Sequence, residues 1–258
     1  MIRAAVADSV QVCRMEGEEK MSQTAEQLER KAEDKDPLEL IEVTSLFRLD
    51  ETIAAELLSG VRYPWEALSG IHDFILRLGS SLPEDVFVQR GEQVWVAKTA
   101  QIADTACIHG PAIIDEGAEI RHCAFIRGNA IVGKGAVVGN STELKNVILF
   151  NQVQVPHYNY VGDSILGFRS HMGAGAVTSN VKSDKTPVTV TVGTQKIPTG
   201  LKKCGAMLGD DVEVGCGSVL NPGTIAARRV SIYPLSSVRG FVPEDCIYKQ
   251  KEEIVIRR

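Results

Sequence analysis

The sequence is short of aromatic residues. Seven Phe, five Tyr and two Trp are spread over 258 residues, so a core of this size is filled by small aliphatic side chains rather than by rings. It has no excess of basic charge: 28 Lys and Arg against 33 Asp and Glu give a formal net charge of −5. That argues against a nucleic-acid binder with its basic face. No apolar run approaches the roughly 18 residues a membrane span needs. The opening MIRAAVADSVQVCRMEGEEK has no signal-peptide core. The six cysteines (Cys13, Cys107, Cys123, Cys204, Cys216 and Cys246) form no CxxC pair and suggest no disulfide framework. A reducing, cytoplasmic compartment is the expected one. Glycine, by contrast, is plentiful at 23 residues. The length suits one large domain, or one domain with a small appendage.

Residues 1–36 are polar and charge-rich and read as a poorly ordered leader, within which Met21 is a plausible alternative start. Residues 37–80 read as two or three short amphipathic helices. Pro37 opens PLELIEVTSLFRL, and Asp50 is placed to cap ETIAAELLS, which Gly60 ends. Pro64 then starts PWEALSGIHDFILRL, which stops at Gly79. Alone these helices bury little, so they are expected to dock on something larger.

The remainder, 81–258, is of another kind. Val96, Ile102, Ile108, Ile114, Ile120, Ile126, Val132, Val138 and Leu144 are aliphatic at intervals of six. Four residues after each of the first eight stands a small residue, from Ala100 and Ala106 through to Ala136 and Thr142. Neither the helix nor the strand period produces this pattern. A hexapeptide period marks a parallel β-helix, in which three sides make a coil of about 18 residues. The aliphatic residues fill its interior and the small ones fit its corners. The ladder reads as breaking after Leu144 and returning in a new phase at Leu166 and Met172. Past an interruption at 179–207 it resumes at Leu208, Val214, Leu220, Ala226, Ile232 and Val238. The interruption contains PVTVTVGTQKIPTG, which reads as an extruded hairpin or lid. The terminal EEIVIRR reads as a strand or helix closing the last coil, whose open edge needs a cap.

Coils of this length stack residue n on residue n + 18, about 4.8 Å away. Arg127 and Lys145 therefore stand side by side, with His109 one coil further back. Two neighbouring cations repel unless an anion lies between them. The pair reads as a phosphate clamp, Arg supplying a fork and Lys a point charge. The alternative is a solvated column bridged by Glu143. His157 lies where Pro156 disturbs the ladder, so its ring need not enter the core. It is a candidate general base, or else a histidine that bonds a loop carbonyl.

Gly139, Asn140, Lys145, His157, Tyr160, Gly162, Asp163, Gly173, Ala174, Gly175 and Asn180 carry a further pattern, and all stand at its spacing. Through them, over roughly residues 94–240, the chain resembles the acetyltransferase half of the bacterial bifunctional enzyme that makes UDP-N-acetylglucosamine from glucosamine-1-phosphate. The resemblance implies a left-handed parallel β-helix assembled as a homotrimer, with sites between subunits. It implies acetyl-CoA as co-substrate and transfer of the acetyl group to the amine of glucosamine-1-phosphate. Arg127 and Lys145 would hold the sugar phosphate, and Glu143 and Tyr160 would contact the sugar. His157 would take the proton from the attacking amine. The Gly173-Ala174-Gly175 backbone would approach acetyl-CoA, where a missing Cβ allows close contact and an N–H polarises the thioester carbonyl; the alternative is a buried turn that only packs. Asn180 would hydrogen-bond across the site. Lys203 or Lys185 would supply a further substrate contact, and Cys216 would sit near the CoA channel as a buried, packing residue.

Two departures bear on these implications. His171 stands where the family has an Asn at the substrate amine, which opens the choice of amino sugar. Together with the long insertion it also keeps open a non-catalytic homologue that binds a sugar phosphate or nucleotide sugar, or assembles with a partner enzyme. Residues 1–93 contain neither the Gly-rich nucleotide loop nor the α/β domain of the uridyltransferase half, so uridylyl transfer is not expected. A third reading is a metal enzyme of the β-helical carbonic anhydrase type, which needs three converging histidines. His122 and His157 are two coils apart, but no third His has matching spacing; no metal is expected.

Overall fold

The computed structural model describes residues 36–250 and 253–256. The leader expected at 1–36 and the Met21 start lie outside the described residues, apart from Asp36. From Val94 onward the chain winds as a parallel β-helix with three sides. The first side is laid down by Val94–Ala97, Ala112–Ile114, Ala130–Val132, the ends of Glu143–Leu149 and Tyr160–Leu166, then Ala206–Leu208, Thr224–Ala226 and Phe241–Val242. Each pairs in parallel with the next. The second side runs from Gln101–Ile102 through Val137–Asn140, Gln154–His157, His171–Met172 and Glu213–Val214 to Cys246–Gln250. The third runs from Cys107–Ile108 through Phe125–Ile126, the starts of Glu143–Leu149 and Tyr160–Leu166, Val177–Thr178 and Val219–Leu220 to Ser237–Val238. Both ends carry an antiparallel strand: Phe87–Gln89 on Val94–Ala97, and Glu253–Ile256 on Cys246–Gln250.

The interior ladder does not break at Leu144. It continues through Leu149, Val155, Val161 and Leu166 to Met172 and Thr178, all with no exposed surface. The change of phase comes from two steps of five residues, Leu144 to Leu149 and Val161 to Leu166. Each is a corner between the third and first sides made with one residue fewer. Lys145-Asn146 and Gly162-Asp163 turn where Arg127-Gly128-Asn129 turned in the preceding coil. Accordingly Val147 pairs with Ala130 and Ser164 with Val147, at offsets of 17. Asn129, Asn146 and Asp163 all have positive φ, at 50°, 56° and 49°. Asn and Asp tolerate that conformation better than other side chains.

Outward residues of the first side are apolar and buried, among them Ile113, Ile131, Ile148, Ile165, Met207 and Ile225. The helical segment packs on the strands of Ile113, Ile131, Ile148 and Ile165, and the insertion strand Thr189–Val192 packs on that of Ile225. The helical segment comprises 3-10 turns at Glu39–Ile41, Leu49–Glu51 and Pro64–Ser69 and helices α1 (Val43–Leu46), α2 (Ala55–Ser59) and α3 (Ile71–Gly79). α3 lays Ile71, Phe74 and Ile75, at i, i+3 and i+4, against the solenoid. Two expectations need correction. α2 begins after Ala54 with no side-chain cap, so Asp50 does not cap it; Asp50 lies within the preceding 3-10 turn. The segment after Pro64 is not one helix, because it changes from 3-10 to α geometry at Gly70. Polar ties fix the docking. Asp210, fully buried, accepts the N–H groups of Arg48 and Phe168 at 2.9 Å each, and Glu51 accepts from Asn151 Nδ2 at 3.1 Å.

The insertion leaves the coil after Asn180 and rejoins at Cys204, whose N–H donates to the Asn180 carbonyl at 3.0 Å. It forms the hairpin Thr189–Val192 with Gln195–Pro198. Val188, Val190 and Val192 are buried. The Thr189 and Thr191 carbonyls lie against Gly223 and Gly240, each 3.0 Å from where a Cβ would stand. The hairpin therefore folds down along the solenoid's own corner toward the C-terminal coils, away from Arg127 and Lys145.

Candidate functional site

The candidate residues fall into two groups. The first lies on the third side and the corner that follows it. Arg127 and Lys145 are neighbours in adjacent coils, as the register requires, but they do not wait on a shared anion. Arg127 Nη1 donates to Glu143 Oε1 at 2.6 Å. Lys145 Nζ donates to both oxygens of Asp163, at 3.0 and 3.3 Å. The carboxylates come from the neighbouring positions: Glu143 is the outward residue beside Arg127, and Asp163 follows Gly162, the register partner of Lys145, at the shortened corner. The two pairs differ in kind. Arg127 and Glu143 are solvent-accessible, whereas the Asp163 side chain is 5% exposed.

Asp163 is the hub of this group. Besides Lys145 it accepts from Asn146 Nδ2 at 3.0 Å and from Asn180 Nδ2 at 2.5 Å. The same Asn180 nitrogen donates to Tyr160 Oη at 3.2 Å. Tyr160 reaches it by lying across Gly162, where a Cβ would overlap the phenol. Burial pushes the Tyr160 hydroxyl above its ordinary pKa; the hydrogen bond from Asn180 opposes this, and the Asp163 charge adds to it. Lys145, Tyr160, Asn180, Arg127 and Glu143 are thus brought together. Lys203 is exposed and flanks the group through Cys204; Lys185 is exposed within the insertion.

The second group lies at the corner between the second and third sides. Six successive coils turn here through a residue with positive φ: Cys123, Ser141, Tyr158, Gly175, Gly217 and Leu235. His157 precedes Tyr158 and is exposed, and among the described residues its ring has no hydrogen-bond partner. Ala174 follows it one coil later, with the Gly175 N–H donating to the His157 carbonyl at 3.0 Å. The turn is not a buried one, because Ala174 and Gly175 are exposed. The three residues do different things. Gly173 lacks a Cβ because the next coil occupies the space, Cys216 N standing 2.7 Å from it, and its N–H donates to Val214. Gly175 faces open space and supplies the φ of +70°. The Ala174 N–H alone of the three has no acceptor among the described residues. Cys216, expected to be buried, is exposed at this corner.

His171 belongs to neither group. It lies on the second side, paired in register with Gln154 and Glu213. Its Nδ1 is 2.8 Å from Glu213 Oε2. His122 and His157 do share a corner, with Asn140 between them. The His122 ring lies between Thr105 Oγ1 at 2.6 Å and Cys123 Sγ at 3.3 Å. No group of three or more His, Cys, Asp or Glu able to hold a metal occurs among the described residues.

Sequence reasoning assigned no role to Asp163, Asn146 or Glu213. Asp163 was within reach, since a fixed step of 18 leads to it from Lys145. Glu213 was hidden because the insertion separates it from His171.

The fold class is therefore a parallel β-helix of hexapeptide repeats with a docked helical segment. A family model described as the GMPPB C-terminal domain matches residues 108–232. Bifunctional protein GlmU of Methanococcus maripaludis is 31% identical over 216 residues, covering 77% of this chain and 48% of that protein. Bifunctional protein GlmU of Methanococcus aeolicus is 33% identical over 119 residues, covering 46% and 29%. The chain spans about half or less of the length of the curated relatives it matches. Among solved structures, a hexapeptide transferase family protein from Anaplasma phagocytophilum is 18% identical, with 64% of this chain and 80% of that one covered and a TM-score of 0.37. Perosamine N-acetyltransferase from Caulobacter crescentus is 13% identical, with 64% and 56% covered and a TM-score of 0.34. The likeness first read from the motifs is shown: the chain is similar to the acetyltransferase part of the bifunctional GlmU proteins.

Proposed function

We propose that this protein is an acetyl-CoA-dependent N-acetyltransferase of an amino-sugar phosphate, with glucosamine-1-phosphate the favoured acceptor. The observation that carries the reading is the second corner, where His157 and Ala174 stand in adjacent coils and, among the described residues, neither the His157 ring nor the Ala174 N–H has a hydrogen-bond partner. One supplies a base and the other a hydrogen-bond donor for a carbonyl that gains negative charge. The substrate amine attacks the thioester carbon and forms a C–N bond. His157 takes the amine proton, and the C–S bond breaks to release CoA. Tyr160, Glu143 and Asn180 contact the sugar, and Lys203 from the insertion's end approaches it. The phosphate falls chiefly to Arg127, which is exposed and paired with a half-buried Glu143; Lys145 is committed to the buried Asp163. Gly173, Ala174, Gly175 and Cys216 line the acetyl-CoA side. Sites between the subunits of a homotrimer would bring His171 to the amine. The exposed Tyr158, Val219, Tyr233 and Leu235 suit such an assembly. The compartment proposed is a reducing cytoplasm.

Incubation with acetyl-CoA and glucosamine-1-phosphate should release free CoA, and His157→Ala should lower kcat about 10²- to 10⁴-fold. Unchanged turnover in that variant would sink the base assignment. A second reading, a sugar-phosphate or nucleotide-sugar binder without catalysis, is favoured by one feature: His171 is engaged by Glu213 where an amine-binding Asn is expected. Binding of glucosamine-1-phosphate with no CoA release from the wild type would support it.

A further inference from the structure

The corner between the second and third sides is lined from inside by a column of small residues. Ala106, Ala124, Thr142, Ala176, Ser218 and Ser236 occupy it in successive coils. One coil departs, and it is the coil of His157. There the column holds Asn159, a larger amide that is only 2% exposed.

Its hydrogen bonds account for the exception. Asn159 Oδ1 accepts the His157 N–H at 3.1 Å. Asn159 Nδ2 donates to the carbonyls of Gly173 at 2.8 Å and Ala176 at 3.0 Å. The Asn159 N–H donates to Thr142 Oγ1 at 3.3 Å. The Gly173 carbonyl and the Ala174 N–H belong to one planar trans peptide, so they point in opposite directions. Holding that carbonyl inward holds the Ala174 N–H outward, toward the side of the exposed His157. A column-typical Ala would leave the Ala176 carbonyl without this donor and the orientation of the 173–174 peptide to the turn alone.

We infer that Asn159 is a positioning residue, which sets the Ala174 N–H and the His157 backbone in one fixed geometry from within the corner. The inference rests on the acetyltransferase reading for its catalytic consequence, but its structural content stands apart from it. Asn159→Ala and Asn159→Ser are the variants. Ser returns the column to its ordinary type and keeps a hydroxyl that can donate once, so it covers the case in which Ala fails to fold. With acetyl-CoA and glucosamine-1-phosphate, Asn159→Ala should lower kcat about tenfold or more, with KM for the sugar unchanged within twofold. Asn159→Ser should lower it less, since its hydroxyl can reach the Gly173 carbonyl as Ser218 Oγ reaches that of Tyr233 at 3.0 Å. A rise in KM at unchanged kcat, or no change in either, would overturn the inference. Amide hydrogen exchange is the independent arm. Protection of the Gly175 and Ala176 N–H groups should fall in both variants while that of residues 206–208 stays at the wild-type level. Unchanged protection at 175–176, or equal loss at both places, would overturn it. If the wild type releases no CoA, the acetyltransferase reading fails, and the exchange arm still decides the role of Asn159.

Discussion

Replacing Gly162 by Ala tests the geometry of the Tyr160–Asn180–Asp163 group directly. Gly162 does not lie in the left-handed region, so its backbone accepts Ala, and elsewhere in a strand the change would gain roughly 0.5–1 kcal/mol. Here the added methyl would overlap Tyr160 Oη and stand 2.7 Å from Cζ and 2.9 Å from Asn180 Nδ2. Carbon atoms pack best at about 3.5–4.0 Å, so the phenol must swing away and leave Asn180. Overpacking of this size costs about 1–3 kcal/mol, and loss of the Tyr160–Asn180 bond adds about 1 kcal/mol. Denaturant unfolding of Gly162→Ala should therefore show a loss of about 2–4 kcal/mol. The sharper measurement is the cycle with Tyr160→Ala. With the ring removed, the methyl meets only the mobile end of Asn180, and the penalty should fall by about 1 kcal/mol or more. If Gly162→Ala costs as much without the ring as with it, Tyr160 does not lie across Gly162 in solution, and the substrate face must be drawn again.

Three other predictions concern charge and thiols. Arg127→Ala breaks an exposed ion pair and should change stability by less than about 1 kcal/mol. Lys145→Met leaves Asp163 buried without its cation and should cost about 3 kcal/mol, the low end of such losses because Asn146 and Asn180 still donate; equal effects in unfolding experiments would contradict the distinction. Asp115 is buried, with Oδ1 accepting the Glu116 N–H at 2.7 Å and Oδ2 without a hydrogen-bond partner among the described residues. Burial raises its pKa above the ordinary 3.8 despite that N–H. A raised carboxylate contributes its stability below the unfolded value and loses it as pH rises through the folded one. The stability difference should therefore move in favour of Asp115→Asn as pH rises from about 4, and unfolding midpoints showing the opposite trend would refute the assignment. Burial pushes the thiols of Cys204 and Cys246 up to about 12, while Cys107, Cys123 and Cys216 are exposed. Iodoacetamide at pH 8 should alkylate those three in the native protein and reach Cys204 and Cys246 only after denaturation, as read by peptide mass spectrometry.

The hexapeptide ladder was legible because one interior residue per side is a strict packing demand, and Ile, Val and Leu meet it without ambiguity. Its apparent break after Leu144 was misread for a physical reason. A corner can lose one residue without disturbing the interior, provided an Asn or Asp takes the left-handed turn, and a fixed step of six cannot register that. The aromatic-poor composition has the same origin, since a narrow triangular interior has little room for rings. Phe47, Trp65 and Phe74 are buried instead under the docked helical layer. That layer's partner surface was also present in the sequence, as Ile113, Ile131 and Ile148 between ladder positions. Their meaning appears only when the outward face of one side is seen to be covered. For the site, stacking placed Arg127 beside Lys145, and Glu143, the carboxylate of the alternative solvated column, is the one that pairs with Arg127. The shortened corner brings Asp163 to Lys145, and the two carboxylates answer the repulsion.

A repeat sets an ordinary residue type for every column, so a residue that departs from its column has a cost to justify. If departures answered only to local packing, they would scatter along the solenoid. Instead they gather in and around one coil. Pro156 lies within the Gln154–His157 strand, Asn159 enters the column of small residues, and Gly162 clears the ground for Tyr160. Asp163 turns a shortened corner with a buried carboxylate, and the insertion leaves within the following coil, after Asn180. His157 lies among them. Each departure exchanges a default packing residue for a polar contact that fixes a neighbour's position. A fold stabilised by repetition can accommodate that exchange in one coil, because the coils on either side keep the regular ladder. The irregular coil is therefore where a search for chemistry should begin, independently of any resemblance, and Asn159 is the residue that such a search finds first.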